Sequence, residues 1–525
     1  MLRRGGEKHH RRPAQAVSED DDLVVLVKDI GRLAPGDNLA KYAEPVHCRQ
    51  SRCPSSQGQR GRLPRGAQAA PTGRRHIGRP PRFRQPRRAA YDLPVADFRP
   101  FPALRYNPDV AGKASDLIAP PYDVVSSEQA AALRARSSHN ISIVDYGEAR
   151  PGDTASDNRY ARARTEIARW LVERALVRDE RPRLYVYDQV FSLRGETRKR
   201  RTVFGRLRLE EWEKGIVLPH EHTRAAAKAD RLELLRATRV HLSPIMGMYR
   251  SPTSKPLTDE GDFGPVLLDA VLPGERHVLR PLGPEAAAYL QRHLENEKLY
   301  IADGHHRYET ALNYRSERRD ASPGWSGDEP ENFVLAAVVD IDDPGLVVLP
   351  THRLVKIAGV IREDLSRRLE LAFEVLDAGD ARAPADVDRL VAMMAELAHR
   401  GGVFGAVGLA PGRLHLITVA DEAAVRRRIP SDHAQAWRRL DVNVLHHALL
   451  PLLGARQRPE DVEFTEDAHE AAAEVTSGSW DVALLLNATP VDQVLACANA
   501  GERMPQKSTY FYPKLATGMV MYPLD

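Results

Sequence analysis

The chain has 525 residues, 42% of them apolar and 28% charged, the composition of a globular protein long enough for two or three domains. Its net charge of +4 hides a split, because residues 1–90 carry 20 Lys/Arg against 8 Asp/Glu and the remainder 56 against 64. Three cysteines are too few for a disulfide framework and no apolar run approaches the ~18–20 residues that span a membrane, so a cytoplasmic protein is expected.

The leader, residues 1–90, has no secretory core: its best apolar stretch is Leu23–Val27. From Pro45 to Ala90 there is no acidic residue and there are twelve arginines, set among Pro, Gly, Ser and Gln. Such a segment buries too little apolar surface to offset its ordering entropy. It is expected to be a disordered tail, for which a non-native upstream start is one origin; the competing reading is a basic arm that binds nucleic acid.

Globular patterning begins near Tyr91. Prolines 120 and 121 predict an extended stretch over 119–125, which carries Asp123. Ser126 or Ser127 then caps a helix to about Arg136. A second helix is predicted over 158–176, with Ile167, Trp170, Leu171 and Leu176 inward. Residues 184–191 and 202–209 read as a hairpin turned at 194–196. The segment Leu218-Pro219-His220-Glu221-His222 follows. His220, Glu221 and His222 supply the donor types of a divalent metal site, but not at the spacing of a helical zinc motif. Glu221 is alternatively a general base, or the segment is a surface loop.

Helices are predicted over 229–238, where Lys228, Arg231, Arg236 and Arg239 in and beside the segment read mainly as a solvated face, and over 284–296. An apolar strand, 298–302, runs into Asp303-Gly304-His305-His306-Arg307, and a helix begins there. Gly304 permits a tight turn. The first backbone N–H groups of the helix have no intrahelical partner and lie at the positive end of the helix dipole, so an anion is favoured. Arg307 can grip a phosphate or carboxylate. The competing reading is an internal Asp303–Arg307 ion pair with two satisfied histidines.

Residues 333–339 form a buried strand, and a second domain is expected from about 346. It holds helices over 362–371 and 384–400, a hairpin at 403–409 and 413–419, a helix over 434–450, a strand at 482–486 and a helix over 491–500. His352 and Arg353 are expected to be structural. The loop 501–514 is rich in donors and aromatics, and its Lys507 is a candidate phosphate ligand. The fold class is α+β: a mixed-sheet domain over 91–345 and a second α+β domain over 346–525. There is no P-loop, no dinucleotide-binding glycine motif and no nucleophile elbow.

The stretches at 98–101, 104–106, 119–124, 218–221, 235–239, 299–314 and 501–514, in that order, resemble the bacterial domain-of-unknown-function family 1015. That family implies no reaction. The five residues 303–307 also resemble the phosphate-contacting box of the ParB/sulfiredoxin superfamily, which includes free serine kinases. The resemblance implies a phosphate-binding turn in the first domain, with Gly304, His305, His306 and Arg307 on nucleotide phosphates. A nucleotide (ADP or ATP) with Mg²⁺ would be the cofactor. A phosphotransferase acting on a hydroxylated metabolite is then expected, with Asp303, Glu221 or Asp123 as the proton acceptor and His305 and His306 beside the transferred group. The alternatives are a metal-dependent phosphohydrolase and a non-enzymatic binding module for nucleotide or nucleic acid.

Overall fold

The computed structural model describes residues 96–251, 263–357 and 364–525. The expectations for the leader, and the start of the helix predicted from residue 362, lie outside them. The described residues form one compact unit with both helices and sheets, an α+β fold.

The first sheet has nine strands. Eight run in the order Val217–Leu218, Leu299–Asp303, Ile245–Tyr249, Phe333–Asp340, Glu196–Arg208, Tyr185–Leu193, Glu275–Pro281, Leu268–Leu272, and Phe98–Arg99 pairs beside Glu196–Arg208. Two of its pairings are parallel, Leu299–Asp303 with Val217–Leu218 and Phe333–Asp340 with Ile245–Tyr249, so the sheet is mixed. The predicted apolar run at 333–339 is its central strand, buried at every position because it has neighbours on both edges and cover on both faces.

The helix His305–Asp320 lies against this sheet. Tyr308, Ala311 and Leu312 enter the same apolar cluster as Leu299, Ile301, Val334, Ala336 and Val338. Burial of large side chains of this kind stabilises by roughly 1.5–3 kcal/mol each. The Tyr308 hydroxyl also donates to the Glu210 carbonyl at 2.8 Å. The helix start is thereby fixed relative to the strand that precedes it.

The second sheet is wholly antiparallel, in the order Phe373–Asp380, Arg413–Val419, Val403–Val407, Val482–Leu486, His352–Val355, Val462–Thr465. Beyond it the chain returns to the first sheet's surroundings. Met521 N–H donates to Leu104 O at 2.9 Å, and Tyr522 pairs with His241.

Several predicted elements are found nearly as read. Ser126 caps Ser127–Arg136 in a reciprocal box with Gln129, a feature worth about 1 kcal/mol. The hairpin is Tyr185–Leu193 with Glu196–Arg208. Three differ. The extended stretch is interrupted by a 3-10 turn, Tyr122–Val124, closed by Val124 N–H on Pro121 O and seated by Arg231 over the Tyr122 ring at 4.2 Å. The helix predicted to 176 ends at Val172, which leaves Leu171 exposed and places Leu176 in a strand. The helix over 434–450 is broken at Leu440, whose ψ of 132° is extended, and continues through Asp441–Val444 and a π turn, Leu445–Leu449. Its first turn is pinned from outside, with Ala434 N–H on the Glu502 carboxylate and Trp437 Nε1 on Arg503 O.

Candidate phosphate site

Three segments far apart in sequence meet at one corner of the first sheet. The strand Leu299–Asp303 is parallel to Val217–Leu218, so His220 and Glu221 emerge beside Asp303. The loop after Gly501 joins them: Met504 N–H donates to His220 O at 2.7 Å, and Glu221 pairs with Met504 in a parallel bridge.

Gly304 turns the chain from strand to helix at φ +91°, and a Cβ there would sit 3.1 Å from both Arg307 Nε and Ile245 Cα. A left-handed non-glycine residue costs roughly 1–2 kcal/mol even without contacts. Gly304→Ala is therefore expected to lower the unfolding free energy by at least that amount in a denaturant titration. A loss below about 0.5 kcal/mol would mean that the turn relaxes freely.

Asp303 is held from two sides. Arg307 Nη2 and Lys514 Nζ each donate to its carboxylate at 2.5 Å. Burial alone would push the pKa of this group up, but Lys514 and Arg307 hold its carboxyl well below the usual range. Arg307 also donates to Pro244 O at the start of the neighbouring strand, and it is 9% exposed. Both terminal nitrogens of Arg307 are thus engaged with the protein. The phosphate grip expected of this side chain is not the arrangement found: the guanidinium braces the turn, and the internal ion pair is the reading realised.

Burial favours the neutral form of His220, His305 and His306. Burial lowers His220 to about 4, and burial with His220 beside it lowers His305 well below its ordinary value. Burial likewise lowers His306. His305 Nε2 accepts from His220 N–H at 3.2 Å, and His306 Nε2 accepts from Arg224 N–H at 2.8 Å. His220 Nδ1 donates to Ile301 O at 2.7 Å, and its Nε2 accepts from Thr509 at 3.0 Å. With both ring nitrogens so engaged, His220 does not act as the predicted metal ligand, and His222 lies exposed. Among the described residues no group of three or more His, Cys, Asp or Glu side chains is placed to hold a metal ion.

Neutral histidines remove the electrostatic penalty of cations at a helix start, and Asp303 offsets that of Arg307. The backbone N–H groups of His305, His306 and Arg307 donate to no protein group among the described residues, and no side chain caps this helix. Four charged groups surround the corner. Glu221 is pushed up to about 7 by burial, against the lowering effect of the Lys507 backbone amide and of the Lys507 and Lys514 ammonium groups. Asp123 is exposed, and its charge acts on Arg307, His306 and Lys514. Lys507 makes no side-chain hydrogen bond or ion pair among the described residues, and Arg503 reaches Glu309 at 3.4 Å.

No sequence signal within the loop 501–514 marks Lys514 as the second partner of Asp303 or Arg503 as the partner of Glu309. The four cations of the neighbouring helix and its C-cap are paired: Lys228 with Glu309, Arg231 with Asp145, Arg236 with Glu317 and Arg239 with Glu331. Arg353 is buried on the carbonyls of Thr351 and Lys507, a structural role as expected.

The family model described as "Protein of unknown function (DUF1015)" matches residues 98–443. The chain belongs to the DUF1015 family. The match includes the segments around Asp123, Glu221 and Asp303–Arg307 and ends before the loop that carries Lys507. No curated protein is found to match this DUF1015 chain. Among solved structures, free serine kinase in complex with AMP is 14% identical at a TM-score of 0.28, covering 59% of this chain and 86% of that one. A conserved hypothetical protein from Pyrococcus furiosus is 14% identical at a TM-score of 0.28, covering 60% and 93%. SbnI with C-terminal truncation from Staphylococcus aureus is 11% identical at 0.30, covering 61% and 87%. Likeness at these scores carries no argument about activity. No helix among the described residues of this DUF1015 protein is long and apolar enough to cross a membrane.

Proposed function

We propose that this corner seats the phosphates of a nucleotide and that the protein transfers a phosphoryl group to a hydroxylated small metabolite. One observation carries the reading: the amides of His305, His306 and Arg307 have no protein acceptor among the described residues, at the positive end of a 16-residue helix. Lys507, whose ammonium has no partner among the described residues, supplies the cation.

Phosphoryl transfer asks the protein mainly to position its reactants and to neutralise charge. Arg307 and Lys514 hold Asp303, which fixes the turn and keeps the amides aimed. Glu221 takes the proton of the substrate hydroxyl as that oxygen bonds to the terminal phosphorus. The bond from phosphorus to the departing nucleotide oxygen breaks, and Lys507 with the amides steadies the charge left on the phosphates. A base works best with a pKa near the operating pH, which favours Glu221 over the firmly ionised Asp303. Mg²⁺, which commonly binds through substrate phosphates and one or two carboxylates, would arrive with the nucleotide and shield its charge.

Isothermal calorimetry of the full chain with ADP, ATP and CTP tests this. At least one should bind, and Lys507→Ala should weaken it about tenfold, as loss of a hydrogen-bonded charge contact does. A chain that binds none of the three overturns the proposal.

A further inference from the structure

We infer that the second half of the molecule holds a separate anion site for a small phosphate-bearing molecule. A cavity of about 510 Å³ lies among residues 398–402, 419–444 and 487–493 and shares no lining residue with the corner around Gly304. Small-molecule sites commonly enclose roughly 300–1,000 Å³.

Its lining is cationic. Arg400, Arg426, Arg438 and Arg439, with His399, face it against only Glu422 and Asp441. The two acids are already engaged: Glu422 pairs with Arg426, and Asp441 accepts from Gly402 N–H at 2.7 Å. Two of the cations have donors to spare. Among the described residues, the terminal nitrogens of Arg438 make one contact, to the Arg426 carbonyl at 3.4 Å. Arg439 makes no side-chain hydrogen bond or ion pair among the described residues.

A solvated face explains scattered arginines on a convex surface, but here four of them line one concavity. A planar fork of donors suits phosphate oxygens. An oxyanion held by the terminal nitrogens of Arg438 and Arg439 gives both guanidinium groups an acceptor.

The test is calorimetric titration of the full chain with inorganic phosphate, pyrophosphate and citrate. It is run on the wild type, on Arg439→Gln, on the double variant Arg438→Gln/Arg439→Gln and on Lys507→Ala. Phosphate or pyrophosphate should bind the wild type with a component that Arg439→Gln weakens about tenfold or more, that the double variant loses and that Lys507→Ala leaves unchanged, whatever binds at the other corner. Arg439 is exposed, so its replacement should leave the fold intact and keeps the test meaningful if the double variant is unstable. Absence of phosphate and pyrophosphate binding overturns the inference. So does binding that Lys507→Ala abolishes and Arg439→Gln does not, because the anion then sits at the other corner. Binding of citrate alone overturns the phosphate assignment.

Discussion

Replacing Asp303 by alanine is expected to destabilise the protein by about 3–5 kcal/mol, the cost of leaving a buried charge without its partner. The carboxylate serves two buried cations at once, Arg307 and Lys514. Its removal strands both, whereas Arg307→Ala leaves Asp303 still paired with Lys514. Asp303→Ala should therefore be the more damaging of the two, which denaturant midpoints can rank directly. The pH dependence has a defined direction. A carboxyl held well below its unfolded value contributes stability that is complete above the unfolded pKa of about 4 and is lost as pH falls towards the folded value. The gap between wild type and Asp303→Ala should narrow in acid. A gap that stays constant down to pH 3 would mean that the ion pairs contribute little.

Glu221→Gln is expected to abolish most of the proposed transfer, by the roughly 10²–10⁴-fold that a general base supplies, while leaving nucleotide binding intact. Its effect on stability runs opposite to that of Asp303. Burial pushes the Glu221 carboxyl up to about 7 from an unfolded value of about 4.3, so the folded state holds a proton that the unfolded chain has released. That contribution is fully present below the unfolded value and is lost as pH rises to about 7. Glutamine resembles the protonated acid, so the variant should match wild type near pH 4 and exceed it above pH 7. Glu275, also pushed up to about 7 by burial, adds a parallel loss that Glu221→Gln leaves in place. Equal pH slopes for the two proteins would place Glu221 in water.

Much of the candidate site was legible because its signals are local. Apolar residues 299–302, Asp303 and Gly304 specify a strand and a left-handed turn, and both are present. The penalty for a cation at a helix start calls for either a bound anion or a carboxylate beside Arg307, and Asp303 is the carboxylate found there. The two readings of the box were not exclusive: the ion pair forms through side chains while the amides stay free. Less legible were the features that depend on the far end of the chain. Lys514 lies 211 residues from Asp303, and no spacing rule reaches that far. Thr509 closes on His220 across 289 residues, which turns a plausible metal ligand into a buried, positioned ring. The helix predicted over 434–450 failed for the same reason, since contacts with Glu502 and Arg503 outweigh helical propensity at Leu440.

The central claim concerns three backbone N–H groups, and the most direct measurement observes them. In a deuterated sample, the amide resonances of His305, His306 and Arg307 are followed while ADP is titrated in, with Lys507→Ala as a parallel sample. The account predicts that all three move saturably and furthest among the helix amides, with a weaker midpoint in Lys507→Ala. Saturable binding that leaves these three resonances in place would contradict it, because the phosphates would then lie elsewhere.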